Sequence, residues 1–597
     1  MKDVVHGINI DLSRDSLFDE LGLKRMKESY MMESETSPQE RFAFVSKAFG
    51  SNPEHAQRLY DYSSKQWLSY STPILSFGRS KRGLPISCFL PYLHDSAEGL
   101  VDCLSEVNWL SMLGGGVGIG LGIRSADDKS VGIMPHLRTY DASSLAYRQG
   151  RTRRGSYAAY LDISHPDILL FLEIRKPTGD QNMRCLNLHH GINITDDFMH
   201  IIEKCMLDPH ADDSWELKDP HSNEVREKVS AKELWQRIIE MRMQTGEPYI
   251  HYIDHSNNAM PDFQKKLGLK IRQSNLCSEI ILPTDKERTA VCCLSSLNLE
   301  HFDAWKSNKL FLRDIAEMLD NVLQYFIDNA PDTIARAKFS AMRERSIGVG
   351  ALGWHAYLQK NMLPWESALA VSANHRIFKH IKKKLDEANL ELGTERGEAP
   401  DALGTGKRFS HMQAIAPNAS SSILMNNTSP SIEPYRANAY RQDTLSGAYL
   451  NKNRFLDDLL KTKITEEDKL QEAWSSIIAN DGSVAHLDIL TDEERDVFKT
   501  AMEIDQRWVV QHAADRQEYI DQAQSLNVFF RPDSHIKYLH AVHFQAWKQG
   551  LKTMYYCRSE KIGKADKVSK KIEREVIKEI DLKSLAKDDE VCIACEG

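Results

Sequence analysis

Short apolar strands alternate with amphipathic helices from about residue 71 to residue 557, and this alternation most restricts the fold. The chain must be α/β, with helices covering a sheet. Gly83-Leu84-Pro85-Ile86-Ser87-Cys88-Phe89-Leu90 reads as an apolar strand ending in a proline-bounded turn. A helix over about 96–113 carries Leu100, Leu104 and Val107 on one stripe and stops at Gly114-Gly115-Gly116. Another, over 230–244, opens with a Ser230/Glu233 capping box and stripes Leu234, Ile238 and Met241. Residues 291–299 read as a further strand, the chain then as mostly helix to about 400, and residues 526–530 and 552–556 as the last strands. Thr491 and Glu494 open one more helix with a capping box.

Two flanking regions differ. Residues 1–70 read as short helices, with Ser37-Pro38-Gln39-Glu40 giving an N-cap, a first-position proline and a capping-box glutamate. Residues 558–590 are rich in Lys, Glu and Asp without an apolar face, so 558–597 reads as a flexible tail. The expected division is a helical region 1–70, an α/β domain 71–557 and the tail.

Composition excludes several classes. With 597 residues, 41% hydrophobic and 27% charged, the chain can bury a large core, and its net charge of -9 argues against a nucleic-acid surface. Basic clusters such as Arg151-Thr152-Arg153-Arg154 are local and point to phosphate at one spot. No apolar run approaches the roughly 18 residues of a membrane span, and Met1 to Leu12 lacks a signal-peptide pattern. A soluble, cytoplasmic protein is expected. In that reducing setting the 10 cysteines are of interest as catalytic, redox or metal-binding groups.

The chemistry centres on Ser274-Asn275-Leu276-Cys277-Ser278-Glu279-Ile280. In an extended segment Asn275, Cys277 and Glu279 share one face, placing an amide, a thiol and a carboxylate side by side while Leu276 and Ile280 anchor the backbone. Alone, the heptapeptide reads more readily as a small buried thiol with solvated neighbours. Gly118-Ile119-Gly120-Leu121-Gly122 permits close approach by a ligand or is an ordinary strand and turn; it matches neither the Rossmann nor the Walker A spacing. Residues 177–184 suit a mobile, ligand-reading loop. Ala416-Pro417-Asn418-Ala419-Ser420-Ser421-Ser422-Ile423-Leu424 offers hydroxyls and free N–H groups at a helix start, which is an anion site or plain N-capping. The terminal Cys592-Ile593-Ala594-Cys595 is a zinc half-site or a redox dithiol; tetrahedral zinc needs four ligands, and no second C-x-x-C exists. The roughly 35 residues before it reach about 100 Å when extended.

Asn275-x-Cys277-x-Glu279, Cys88 and Cys292 on separate strands, Tyr555-Tyr556 and Cys592-x-x-Cys595 together resemble the large catalytic subunit of class I ribonucleotide reductases, from about residue 65 to the end. The resemblance implies a ten-stranded α/β barrel with the Cys277 loop as a central finger, and reduction of ribonucleoside diphosphates at the 2′ carbon for DNA precursor synthesis. By that resemblance Cys277 is the thiyl site, Glu279 the general base and Asn275 the holder of the 2′ and 3′ hydroxyls. Cys88 and Cys292 supply two electrons and end as a disulfide; Cys293 is the alternative to Cys292. Cys592 and Cys595 re-reduce that disulfide and are themselves reduced by thioredoxin or glutaredoxin. Tyr555 and Tyr556 relay the radical from a separate metal-containing small subunit, so no metal or tightly bound cofactor is expected in this chain.

Thr72, Ser87, Ser420, Ser421 and Ser422 are the implied phosphate ligands, although Ala419-Ser420 stands where the common bacterial pattern has a glutamate-threonine pair. A dNTP or ATP specificity effector would engage Asp95 and Arg124 at a homodimer interface, with Arg184 carrying the signal to the substrate base. No room remains before Cys88 for the amino-terminal ATP cone of many relatives, a shortness that resembles phage-encoded forms acting in the host cytoplasm; dATP is therefore expected not to switch the enzyme off through a cone. The rivals are an adenosylcobalamin-dependent class II reductase, which needs no tyrosine dyad, a glycyl-radical type without its terminal motif, and a non-catalytic nucleotide- or zinc-binding protein.

Overall fold

The computed structural model describes residues 3–80, 83–147, 156–444 and 447–559. Its centre is a ring of strands. β1 (Cys88–Leu90), β2 (Gly116–Gly122), β3 (Tyr157–Asp162), β4 (Leu188–Ile194) and β5 (Tyr249–Tyr252) lie side by side and parallel. β6 (Ala290–Asn298) joins β1 antiparallel and β7 (Ile347–Leu352) parallel, while β8 (Thr553–Met554) joins β5 antiparallel. Two segments fill the gap between β7 and β8: Gln413 bridges to Val349, Ile415 bridges to Gln524, and Tyr555 N donates to Leu526 O at 2.8 Å. Two parallel halves thus meet antiparallel at two seams and close on themselves. The strands Leu68–Tyr70 and Tyr92–His94 pair with β6 and β2 along the same edges as β1, bringing the connected strands to a 10-stranded sheet.

The barrel follows from the sequence pattern. β2 and β4 are buried at every residue, as parallel strands covered on both faces must be. Side chains alternate outward, into a large core shared with the helices, and inward, into a smaller cluster holding Cys88, Cys277, Cys292, Tyr555 and Tyr556.

Several expected elements stand as read. Ser96 caps the helix Ala97–Met112 and the Thr491/Glu494 box is formed, while of the expected Ser230/Glu233 box the Ser230 half is seen, accepting from Glu233 N ahead of Ala231–Thr245. Others need correction. Residues 3–10 form a small hairpin ahead of the entry helices, because Ile8 and Ile10 bury against the helix Pro53–Ser64. Glu40 bonds the N–H of Thr36 rather than that of Ser37, so the box there is shifted by one residue. β7, Ile-Gly-Val-Gly-Ala-Leu, interrupts what reads as mostly helix; two glycines dilute its apolar pattern. Its burial between β6 and segment 412–416 decides the matter.

The glycine-rich stretch is the strand β2, and what approaches it is the chain itself. A Cβ on Gly118 would lie 2.3 Å from Ser274 O and 2.6 Å from Asn275 Cα, and one on Gly120 would lie 2.6 Å from the Gln273 side chain. β2 is glycine-rich so that the loop through the barrel can rest on it. The basic cluster Arg151–Arg154 and the terminal cysteines lie outside the described residues.

Candidate active site

The loop 272–280 runs through the barrel interior with every residue from Ser274 to Ile280 buried. It is not extended, as its alternation implies, but turns at its tip: Ser278 N donates to Asn275 O at 3.3 Å, and Ser278 takes a left-handed φ of 67°. Asn275 explains the turn. Its Oδ1 accepts from Glu279 N at 2.9 Å and from Ile280 N at 3.0 Å, a side-chain substitute for sheet pairing in a segment with no neighbouring strand. Tyr160 Oη donates to Asn275 O at 2.6 Å, and Ala523 N to Glu279 O at 3.0 Å, so backbone groups far from water find partners in the barrel wall.

The turn still brings the three side chains to one place. Asn275 Nδ2 lies 3.4 Å from Cys88 Sγ, and Cys88 Sγ 3.8 Å from Glu279 Oε1. Cys88 and Cys292 sit directly opposite each other across the antiparallel seam of β1 and β6, where facing Cα atoms are about 4.5–5.5 Å apart. Both are free thiols. Cys293 points to the opposite face, with its Sγ 3.4 Å from Leu319 O, in the outer core. Burial, reinforced by Cys293 and Cys88, pushes the Cys292 thiol well above its usual range, so it is protonated at neutral pH.

On the other side of Cys277, Tyr555 Oη donates to its Sγ at 3.4 Å. The rings of Tyr555 and Tyr556 are 4.3 Å apart, although consecutive residues of a strand face opposite ways. The expected strand over 552–556 resolves this by breaking: β8 ends at Met554, pairing resumes at Cys557–Ser559, and Tyr556 N donates to the Asn527 side chain at 3.0 Å. Tyr249 packs against both, at 4.7 Å and 5.1 Å between ring centroids. Arg558 stacks on the Tyr556 ring at 4.0 Å, and Tyr556 Oη lies 3.4 Å from His189 Nδ1, which is 2.6 Å from Glu247 Oε1. Burial alone would raise the Glu247 pKa, but Arg175 and the imidazoles of His189 and His190 outweigh it and hold the carboxyl well below its usual range.

The implied phosphate ligands lie at the barrel rim. Thr72 begins the short helix Thr72–Leu75, Ser87 Oγ lies 3.5 Å from Cys88 Sγ, and Ser420, Ser421 and Ser422 are buried in Ala419–Leu424. Asn418, not a serine, occupies the N-cap position there, at φ 54° and without a side-chain cap bond. Asp95 accepts from Arg124 N at 3.3 Å and is 3.0 Å from His221 Nε2, while Arg184 binds Thr178 O and lies 3.6 Å from Glu173.

Ser525, Gln522, Tyr160, His189 and Glu247 escaped sequence reasoning. Ser525 Oγ lies 2.5 Å from Cys277 O and 3.0 Å from Glu279 Oε2, and Gln522 Nε2 lies 3.7 Å from Cys292 Sγ. The available signal is the polar run Asp521-Gln522-Ala523-Gln524-Ser525 beside an apolar strand, of which Gln522 and Ser525 reach the site while Gln524 bonds Ala513 O and Gln517 on the covering helix. Among the described residues, His55, Asp314 and Glu317 are close enough to hold a metal, but Arg58 pairs with Asp314 at 2.7 Å and Arg396 with Glu317 at 2.8 Å, so both carboxylates are already neutralised.

Family models match on this architecture: "Ribonucleotide reductase, barrel domain" over residues 86–402 and 401–557, and "Ribonucleotide reductase, all-alpha domain" over residues 16–83. The ribonucleoside-diphosphate reductase large subunit of Invertebrate iridescent virus 3 is 56% identical, across 94% of this chain and 97% of its own length. That of Invertebrate iridescent virus 6 is 38% identical, across 95% and 94%. Of solved structures, the Actinobacillus ureae class Id ribonucleotide reductase alpha subunit matches with a TM-score of 0.80 and 34% identity, covering 91% of this chain and 97% of that one.

Proposed function

We propose, from the premise that this chain belongs to the ribonucleotide reductase large-subunit family and is a ribonucleoside-diphosphate reductase, that a thiyl radical on Cys277 carries the reaction. A separate metal-containing small subunit supplies the oxidising equivalent at Tyr556. Tyr555, once oxidised, takes a hydrogen atom from the Cys277 thiol. The thiyl takes the 3′ hydrogen of the ribose, and Glu279 accepts the 3′-OH proton while Asn275 holds the hydroxyls. Cys88 protonates the 2′ hydroxyl, which leaves as water. Cys88 and Cys292 together give two electrons and two protons, that of the departing water included, and become a disulfide; Glu279 returns its proton to the 3′ oxygen and Cys277 returns its hydrogen to C3′. Cys592 and Cys595 then exchange with that disulfide, and thioredoxin or glutaredoxin reduces them in turn.

The observation that carries this reading is the single buried cluster in which Tyr555 Oη reaches Cys277 Sγ at 3.4 Å and Cys88 faces Cys292 across the seam. Thr72, Ser87 and Ser420 to Ser422 hold the diphosphate. A dNTP or ATP effector binds near Asp95 and Arg124 of a homodimer, with Arg184 as its link to the base. The enzyme works in the cytoplasm; none of the described helices is long and apolar enough to cross a membrane. CDP reduction tests the reading. With the cognate small subunit, wild type turns over and Cys277→Ser does not. Turnover by Cys277→Ser, or activity that needs adenosylcobalamin instead of the small subunit, overturns it.

A further inference from the structure

The serine segment and Thr72 offer a diphosphate hydrogen bonds but no positive charge, and a nucleoside diphosphate brings up to three negative charges into a buried rim. A cation reaches this place from elsewhere. The helix Glu20–Ser29 lies against Ala419–Leu424, close enough that a Cβ on Gly22 would meet Ile423 O at 3.1 Å. From this helix Arg25 extends Nη2 to 3.4 Å from Ser420 Oγ, and Tyr30 at its end places Oη 3.4 Å from Thr72 Oγ1. One helix of the amino-terminal region therefore touches two separate implied phosphate ligands. Arg25 Nε is also buried and has no hydrogen-bond partner among the described residues. An unused donor on a guanidinium beside a hydroxyl-rich turn is placed to receive an anion.

We propose that Arg25 is a substrate-phosphate ligand, closing the diphosphate site from the amino-terminal helical region, with Tyr30 orienting Thr72. This rests on the reading that Thr72 and Ser420 to Ser422 hold the diphosphate. The arrangement gives that helical region a task in binding: it brings to the rim the charge that the barrel segments there lack.

The test compares affinities for CDP and for cytidine in wild type, Arg25→Ala, Arg25→Gln and Arg25→Lys, alongside KM and kcat of the enzyme with its small subunit. Reading the CDP-to-cytidine ratio within each variant removes any change in the folded fraction. Arg25→Ala and Arg25→Gln are expected to bind CDP about ten- to a hundredfold more weakly and to raise its KM by a similar factor, with cytidine affinity and kcat nearly unchanged; Arg25→Lys recovers part of the loss. If Ser420→Ala and Thr72→Ala weaken CDP but the Arg25 variants do not, the inference fails and the phosphate reading stands. If none of them weakens CDP, the phosphate reading itself fails. Equal loss of CDP and cytidine in the Arg25 variants marks a structural role and overturns the inference.

Discussion

Gly118→Ala tests how tightly the barrel wall fixes the catalytic loop. The added methyl would sit 2.3 Å from Ser274 O, whereas ordinary contact begins at 3.4 Å, so the loop must retreat by about 1.1 Å. The obstacle is backbone, which cannot swing aside as a side-chain end can. Overpacking of this kind costs about 1–3 kcal/mol, which a chain with so large a core can absorb and stay folded. Displacement by about 1 Å between reacting groups costs on the order of a hundredfold in rate. Here the contact at stake is the 3.4 Å approach of Tyr555 Oη to Cys277 Sγ, which lies two residues beyond the displaced Asn275. The assay is kcat for CDP reduction with the small subunit, paired with thermal unfolding. A folded Gly118→Ala chain with kcat down about a hundredfold at saturating CDP is expected. Wild-type kcat in that chain would refute the claim that β2 is glycine-rich to seat the loop.

Further consequences follow from the same geometry. Ser525→Ala removes the hydroxyl 3.0 Å from Glu279 Oε2; kcat should fall about tenfold or more with the KM for CDP little changed, and unaltered kcat would show that Glu279 needs no such support. Tyr555→Phe should abolish turnover while leaving CDP binding intact, since the ring stays but the hydrogen acceptor for Cys277 is gone. Burial, opposed by Arg436, Arg558 and Asn527, pushes Glu433 up to about 7. Between the unfolded carboxylate value and about pH 7 the folded state keeps a proton that the unfolded state has lost, so stability falls across that window as pH rises, by about 3 kcal/mol in all. Glu433→Gln should remove that slope in denaturant titrations at pH 5 and pH 8; parallel pH dependences would contradict it.

Much of this was legible in the residues. The capped helices and the strands β1 and β6 announce themselves by period and cap chemistry, whereas the site groups were singled out by a resemblance of separated motifs rather than by any one of them alone. Conformation at the site was less legible. The loop tip turns because Asn275 folds back on Glu279 N and Ile280 N inside a barrel that provides no strand to pair with. The tyrosine rings meet because the strand breaks at residues 555 and 556. The turn has only a weak local signature, an asparagine four residues before the N–H it caps, and Tyr160 completes it from across the barrel; the tyrosine break has none, since Asn527 imposes it from a distance. The same holds for β7, whose two glycines hide it until β6 pairs with it, and for the glycines of β2, whose neighbour lies some 155 residues away in sequence.

The most direct measurement is peptide mapping after a single turnover without external reductant. The holoenzyme carries Cys592→Ser and Cys595→Ser so that the first oxidised pair is trapped. A disulfide joining Cys88 to Cys292, formed in step with dCDP and absent in Cys277→Ser, is the predicted result. Oxidation located at Cys293 or at any other cysteine, or dCDP formed with Cys88 and Cys292 still reduced, would contradict the account.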